Sequence, residues 1–278
     1  MHAPWLSRRP APPLDLFIDT LWTSQRAGPL PHGREWGLPN GCADLVVPLT
    51  QDHVHRYDGV ADRCGRLLAE GVLQGLQQGP TLRDTAGALC VVGVHFRPGG
   101  LAAFFDAPAD RFTDQTIALA DLWPGFGPAL RERLTGPRGL AAPETRLQAL
   151  ETALRARLRR TAAPSTLQDP LVQWAIGRLA GGEQRIGDVQ RASGCSPARF
   201  IARYRAACGV APKRHAELMR FHTLLSRAPR AGAWALAAAD AGYADQAHLA
   251  REFRRFAGFS PTDYLRNATG FATHVACP

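Results

Sequence analysis

The stretch "DQAHLAREFRRFA", Asp245 to Ala257, spaces glutamine, histidine and arginine along what reads as one helix. At about 100° per residue, Leu249, Phe253 and Phe256 fall on one face. Ala247, Ala250, Arg251, Arg254 and Arg255 turn away from it, with His248 at the flank and Gln246 at the helix entrance. A guanidinium fork fits a phosphate or the O6/N7 edge of guanine, and a glutamine amide fits the edge of adenine. The chemistry such a face offers is recognition of a polyanion, with no bond made or broken.

Bond-making chemistry has weaker candidates. His32, His53, His55 and His95 raise a metal reading, because His53-x-His55 on a strand would share a face. No acidic residue stands at a third-ligand spacing, and "QDHVHRYDG" reads more simply as a polar turn or edge strand with surface histidines. The six cysteines form no CxxC pair. Cys42 and Cys90 have no base nearby in sequence and read as small buried residues. "RPGG" at Arg97–Gly100 is too short to be a phosphate cradle. Trp22, Trp36, Phe96, Phe104 and Trp123 would suit either a pocket for a small molecule or an ordinary core. The expectation is therefore no catalytic residue, no metal and no cofactor, with any ligand-binding residues unassigned.

The arginine helix has an upstream echo, "GCSPARFIARYRAACGVAP", Gly194 to Pro212. Phe200, Tyr204, Gly209 and Pro212 lie 49 residues before Leu249, Phe253, Gly258 and Pro261, and the turn glycines Gly194 and Gly242 lie 48 apart. Each copy reads as helix, glycine turn, helix: a helix-turn-helix whose second helix has one face free for a major groove. Two copies joined by one long helix make a poor solenoid, which needs three or more units. In the first copy the outward face holds Ala198, Arg199, Ala202 and Arg205. Alanine offers a thymine methyl contact at most, so the second copy is expected to supply the hydrogen-bonded reading and the first to anchor phosphate.

The stretch "AADAGYADQAHLAREFRRFAGFSPTDY" resembles the second motif of AraC/XylS-type transcriptional regulators, including Gly242, Phe253, Gly258, Pro261 and Tyr264. The resemblance covers about the last hundred residues and implies two helix-turn-helix units in successive major grooves, one helical turn (~34 Å) apart. It implies base reading at Gln246, Ala247 and Arg251; by the helical spacing His248 flanks them, and Arg254 and Arg255 face phosphate or simply solvent. Gln190 departs from the pattern, standing on the first unit's scaffold helix where a small residue is usual. "LPNGCADLVV" and "GVHFRPGGLAAFF" are similar to the N-terminal domain of one subset of these regulators, a likeness that brings no ligand with it.

The flanking elements follow. "CADLVVPL" and "LCVVGVHF" read as strands, Gly59–Gly79 as turns between further short strands, Leu101–Phe105 as a short helix and Thr113–Trp123 as another. Leu147, Leu150, Leu154 and Leu158 stripe a helix from Pro143, which docks on its own domain or forms a dimer seam. "TAAPSTLQDP" breaks it, and from Leu171 onward the pattern is helical with no strand. The expected fold is α+β: residues 1–140 a β-rich domain, a cupin-like barrel being one form, for sensing or dimerisation; 141–168 a connecting helix and linker; 169–268 an all-α DNA-binding domain; and 269–278 a tail. Net charge agrees: residues 166–278 hold 15 basic against 8 acidic residues, whereas residues 1–165 hold 18 against 16. All the basic residues but Lys213 are arginine, which a GC-rich genome would also favour.

No apolar run approaches the ~18 residues of a membrane span, and "PAPPLD" follows Arg8-Arg9 where a signal core would stand. The sequence thus predicts a cytoplasmic transcription factor with no enzyme activity. Its partner is double-stranded DNA, with RNA polymerase, a small-molecule effector and a second copy of the chain as open additions. The rival is an N-terminal metal- or cysteine-dependent enzyme domain fused to a DNA-targeting module.

Overall fold

The computed structural model describes residues 5–87, 89–136, 139–158, 169–180, 185–227 and 234–277. Ten strands open the chain: β1 (Trp5–Arg8), β2 (Ile18–Gln25), β3 (Arg34–Gly37), β4 (Asp44–Pro48), β5 (His53–Tyr57), β6 (Arg66–Ala69), β7 (Val72–Gln74), β8 (Thr81–Asp84), β9 (Cys90–Phe96) and β10 (Thr116–Ala118). Helices α1 (Leu119–Leu122) and α2 (Phe126–Leu134) follow, then two-residue strands β11 (Thr135–Gly136) and β12 (Gly139–Leu140), then α3 (Pro143–Leu158). The C-terminal half holds α4 (Pro170–Ala180), α5 (Ile186–Ala192), α6 (Pro197–Cys208), α7 (Pro212–Ser226), α8 (Trp234–Asp240), α9 (Gln246–Ala257), α10 (Pro261–Asn267) and a last strand, β13 (His274–Cys277). The fold is α+β, a β-rich half followed by a helical one.

One antiparallel sheet runs β1-β2-β9-β4-β7-β10 and another β13-β3-β8-β5-β6. Side-chain alternation gives the first sheet two different faces. Leu21, Leu45, Val92 and Val94 point to one side, where they form a single apolar cluster with Leu147, Leu150, Leu154 and Leu158 of α3. The leucine stripe thus docks on its own domain, and all four leucines are buried there. The other face carries Trp22, Gly93 and Val46 in register. Val46 meets Val54 and Leu68 of the second sheet, together with Val72. That contact is where the two sheets face each other.

Three sequence expectations need correction. Residues 113–123 are not one helix: Thr116–Ala118 pairs with β7 as an edge strand, and only Leu119–Leu122 is α-helical. Asp114 turns the chain there with φ 57°, its carboxylate accepting from Gln78 N and Nε2 at 2.7 Å each. Leu101–Ala103 forms a 3-10 turn rather than the start of a helix running to Phe105. Most consequential, the C-terminal half does contain a strand. β13 pairs with β3 of the N-terminal half, placing Val275 opposite Trp36 and Ala276 opposite Glu35. Most of the expected linker, residues 159–168, lies outside the described residues.

Leu150 is fully buried against the sheet, so Leu150→Ala should cost about 2–5 kcal/mol. Urea unfolding at two protein concentrations should give the same loss at both. A loss that grew on dilution would restore the dimer seam.

Candidate nucleic-acid interface

Each helix-turn-helix is fixed by caps at both ends of its second helix. Ser196 opens α6, its Oγ accepting from Arg199 N at 3.4 Å, and Asp245 opens α9, its Oδ1 accepting from His248 N at 2.6 Å. Gly209 and Gly258 close these helices in the left-handed region, with φ of 90° and 80°. Few residues other than glycine adopt that turn. The helix between the units, α7, spans 15 residues, roughly 22 Å at 1.5 Å per residue.

Apolar residues then press α6 and α9 onto their supports. Phe200 and Tyr204 of α6 join Val172, Ala175 and Val189 of α4 and α5. Leu249, Phe253 and Phe256 of α9 join Phe221, Leu224 and Trp234 of α7 and α8. Ion pairs finish the fit. Arg220 of α7 donates to Glu252 through Nε (3.2 Å) and Nη2 (2.8 Å), while its guanidinium lies 5.0 Å from the Tyr243 ring. Arg203 of α6 grips Asp169 at the start of α4 with two bonds of 2.6 Å. Arg255 is tied to Glu217 of α7. Gln190 is no packing defect, because its Nε2 donates to the Cys195 carbonyl at 2.7 Å and closes the first unit's turn.

The remaining face of α9 is the one anticipated. Gln246, Ala247, Arg251 and Arg254 are exposed, and Arg251 and Arg254 make no ion pair among the described residues. His248 is only half-free, its Nε2 lying 3.6 Å from Glu252 and its ring 5.3 Å from that of Tyr243. On α6, Ala198, Arg199 and Ala202 are exposed. Arg205 is exposed too, but its Nε donates to Asp110 of the N-terminal half at 2.9 Å. Thr113 Oγ1 donates to the Gly209 carbonyl at 2.8 Å beside it. Nothing in the sequence pointed to Asp110, Asp169 or Glu252 as partners, because each acts across elements distant in the chain.

The chemistry suggested for the N-terminal half does not assemble. Phe96, Phe104 and Trp123 lie in the core beneath α3, Trp36 packs toward the helical half, and Trp22 stands on the inner sheet face, so the five aromatics line no common pocket. Among the described residues no cluster of three or more histidine, cysteine or acidic groups could hold a metal. His53 meets its neighbour Asp52 and His55 the Cys64 carbonyl. Burial pushes the Cys42 and Cys90 thiols up, the opposite of what a nucleophile needs. No helix among the described residues is long and apolar enough to cross a membrane.

Residues 189–267 match a family model described as a helix-turn-helix domain, and residues 7–118 match one described as a domain of unknown function, DUF6597. The C-terminal part thus carries a helix-turn-helix domain. No curated protein matches the chain. Among solved structures the chain is similar to ToxT from Vibrio cholerae in its P21 form, with a TM-score of 0.46 and 10% identity over 94% of this chain and 98% of that one. ToxT from strain O395 bound to (E)-4-(8-methylnaphthalen-1-yl)but-3-enoic acid gives a TM-score of 0.47 at 10% identity, covering 94% and 98%. ToxT bound to an unsaturated fatty acid gives 0.45 at 9%, covering 96% of each chain.

His215 of α7 is buried behind α6, its Nδ1 2.7 Å from Tyr204 Oη, and burial lowers its pKa to about 4. The unfolded chain then binds a proton that the folded one refuses. Stability from this group is full above about pH 6.5 and declines as pH falls toward about 4, by a total on the order of 3 kcal/mol. Urea unfolding of His215→Gln between pH 7 and 5 should show a shallower decline than the parent protein.

Proposed function

We propose that the protein is a sequence-specific regulator of transcription in which α6 and α9 enter successive major grooves on one face of the DNA. The observation that carries this reading is the exposed α9 face. It holds Gln246, Ala247, Arg251 and Arg254, while Glu252 and Arg255 of the same helix are held in ion pairs with Arg220 and Glu217 of α7. Arg251 and Gln246 read base edges, Ala247 fits a thymine methyl, His248 lies beside them, and Arg254 meets phosphate. On α6, Ala198 and Ala202 give shape, and Arg199 and Arg205 give phosphate anchoring. The Arg205–Asp110 pair is exposed on the arginine side, and such pairs are worth only ~0–1 kcal/mol, so a phosphate can displace Asp110.

In this reading the protein works in the cytoplasm, on double-stranded DNA and through RNA polymerase. The parts are a β-rich domain over residues 1–140, a connecting helix and linker over 141–168, the DNA reader over 169–268 and, in place of the expected tail, a segment over 269–278 whose strand β13 returns to the sandwich. The N-terminal domain senses a small molecule or pairs two copies of the chain. The helix that could have formed a dimer seam is used inside that domain, which favours sensing.

Selection of bound sites from random duplex DNA should return a two-part site whose halves are about one helical turn apart, with more information in one half. Arg251→Ala should lose about 1–3 kcal/mol of discrimination at one base position. Arg199→Ala and Arg205→Ala should weaken all sequences alike and flatten the salt dependence. The opposite assignment of effects contradicts the unequal division between the units.

A further inference from the structure

The inner faces of the two sheets are apolar only in part. Beyond Val46, Val54, Leu68 and Val72 the second sheet turns a charged row inward. Arg56 of β5 stands opposite Arg83 of β8, and Arg83 opposite Glu35 of β3. Arg83 donates to Glu35 Oε2 through Nε (3.1 Å) and Nη2 (2.5 Å), and His274 of β13 brings Nδ1 within 3.0 Å of Arg83 Nη2. Glu35 thus answers one guanidinium of the two. Arg56 is 7% exposed, and no carboxylate pairs with it among the described residues. Its Nη1 reaches the His55 carbonyl at 3.4 Å, and its buried Nε has no acceptor. Burial and then the neighbouring Arg83 lower its pKa to about 9, leaving it charged at neutral pH. A buried, unpaired cation beside a second cation is costly to fold.

An aromatic surface leads from solvent to this row. Trp5 stacks on Trp22 with ring centroids 4.9 Å apart, and Phe271 lies 5.6 Å from Trp5 and 5.3 Å from His274. Trp5 is 40% exposed and Phe271 37%. Trp22 lies flat over Gly93, where any Cβ would come within 2.3 Å of the indole.

We propose that this end of the sandwich binds a small organic anion with a planar apolar body, its charged group on Arg56 and Arg83 and its body against Trp5, Trp22 and Phe271. The inference rests on the sensory reading above and adds the charge and shape of the effector. It also adds a route for the signal, because Phe271 and His274 belong to the segment that follows the second helix-turn-helix.

The test uses the full chain with benzoate and indole-3-acetate as probes, benzamide and indole-3-acetamide as neutral controls, and inorganic phosphate as a bare anion. Calorimetric titration and thermal melting at millimolar ligand should show the two carboxylates binding and raising Tm, the amides without effect and phosphate weaker than benzoate. Arg56→Met should weaken carboxylate binding at least tenfold while raising the Tm of the ligand-free protein, which a purely structural arginine would not do. Trp5→Ala, at the exposed rim, should weaken benzoate several-fold and leave phosphate unchanged. Carboxylates without effect, or acting equally on parent and Arg56→Met, overturn the proposal. Phosphate matching benzoate overturns the aromatic part. Duplex-DNA binding measured on the same samples separates the two readings: DNA bound with no anion response removes this inference alone, and an anion response without sequence-specific DNA binding removes the regulatory reading alone.

Discussion

The pairing of β13 with β3 ties the two halves of the molecule together. A strand sends alternate side chains to opposite faces, and here the two faces belong to different halves. Val275 points into the apolar cluster of the second helix-turn-helix, with Phe221, Phe253 and Tyr264, while His274 points inward to Arg83 and Glu35. Tyr264 of α10 reinforces the link by donating its hydroxyl to the Ala272 carbonyl at 2.9 Å. The second unit therefore cannot shift against the sandwich without breaking ladder hydrogen bonds or uncovering Val275. The first unit is held differently, through the polar Asp110–Arg205 and Thr113–Gly209 contacts at the end of α6. One unit is joined by a strand and the other by a few exposed polar contacts, which are individually weak.

The arginine excess divides by role in the same way. In the C-terminal half, Arg203, Arg205, Arg214, Arg220 and Arg255 are bonded to acidic or amide side chains that lock helices to one another or to the sandwich. Arg199, Arg251 and Arg254 project from the recognition helices with no ion pair among the described residues. On the proposed reading, net charge overstates the number of phosphate contacts, and the salt dependence of DNA binding is expected to follow the few free guanidinium groups.

The helical half was legible in the sequence because its signals are local. Period-3.6 apolar spacing and the turn glycines Gly209 and Gly258 each act within one or two turns. The exposed face of α9 followed directly from that spacing. The sandwich was only partly legible. β4 and β9 showed as β-branched runs, but β1, β3 and β8 are four residues each, and β3 and β8 carry charges on their inner face. Arg56 follows Val54 at the two-residue strand period, a hint that it faces inward, yet only the tertiary pairing shows that no carboxylate meets it. The aromatics left pocket and core open because composition is blind to which face of a sheet a residue occupies. β13 was invisible for a related reason: "HVAC" is too short to declare itself, and its partner lies some 240 residues earlier in the chain.

Amide hydrogen exchange followed by mass spectrometry tests the link between the halves most directly. The account predicts that residues 274–277 and 34–37 are both protected and lose protection together as urea is raised, as one cooperative unit. Fast exchange at 274–277 with 34–37 still protected would mean that the last strand is not seated on the sandwich and does not join the two halves.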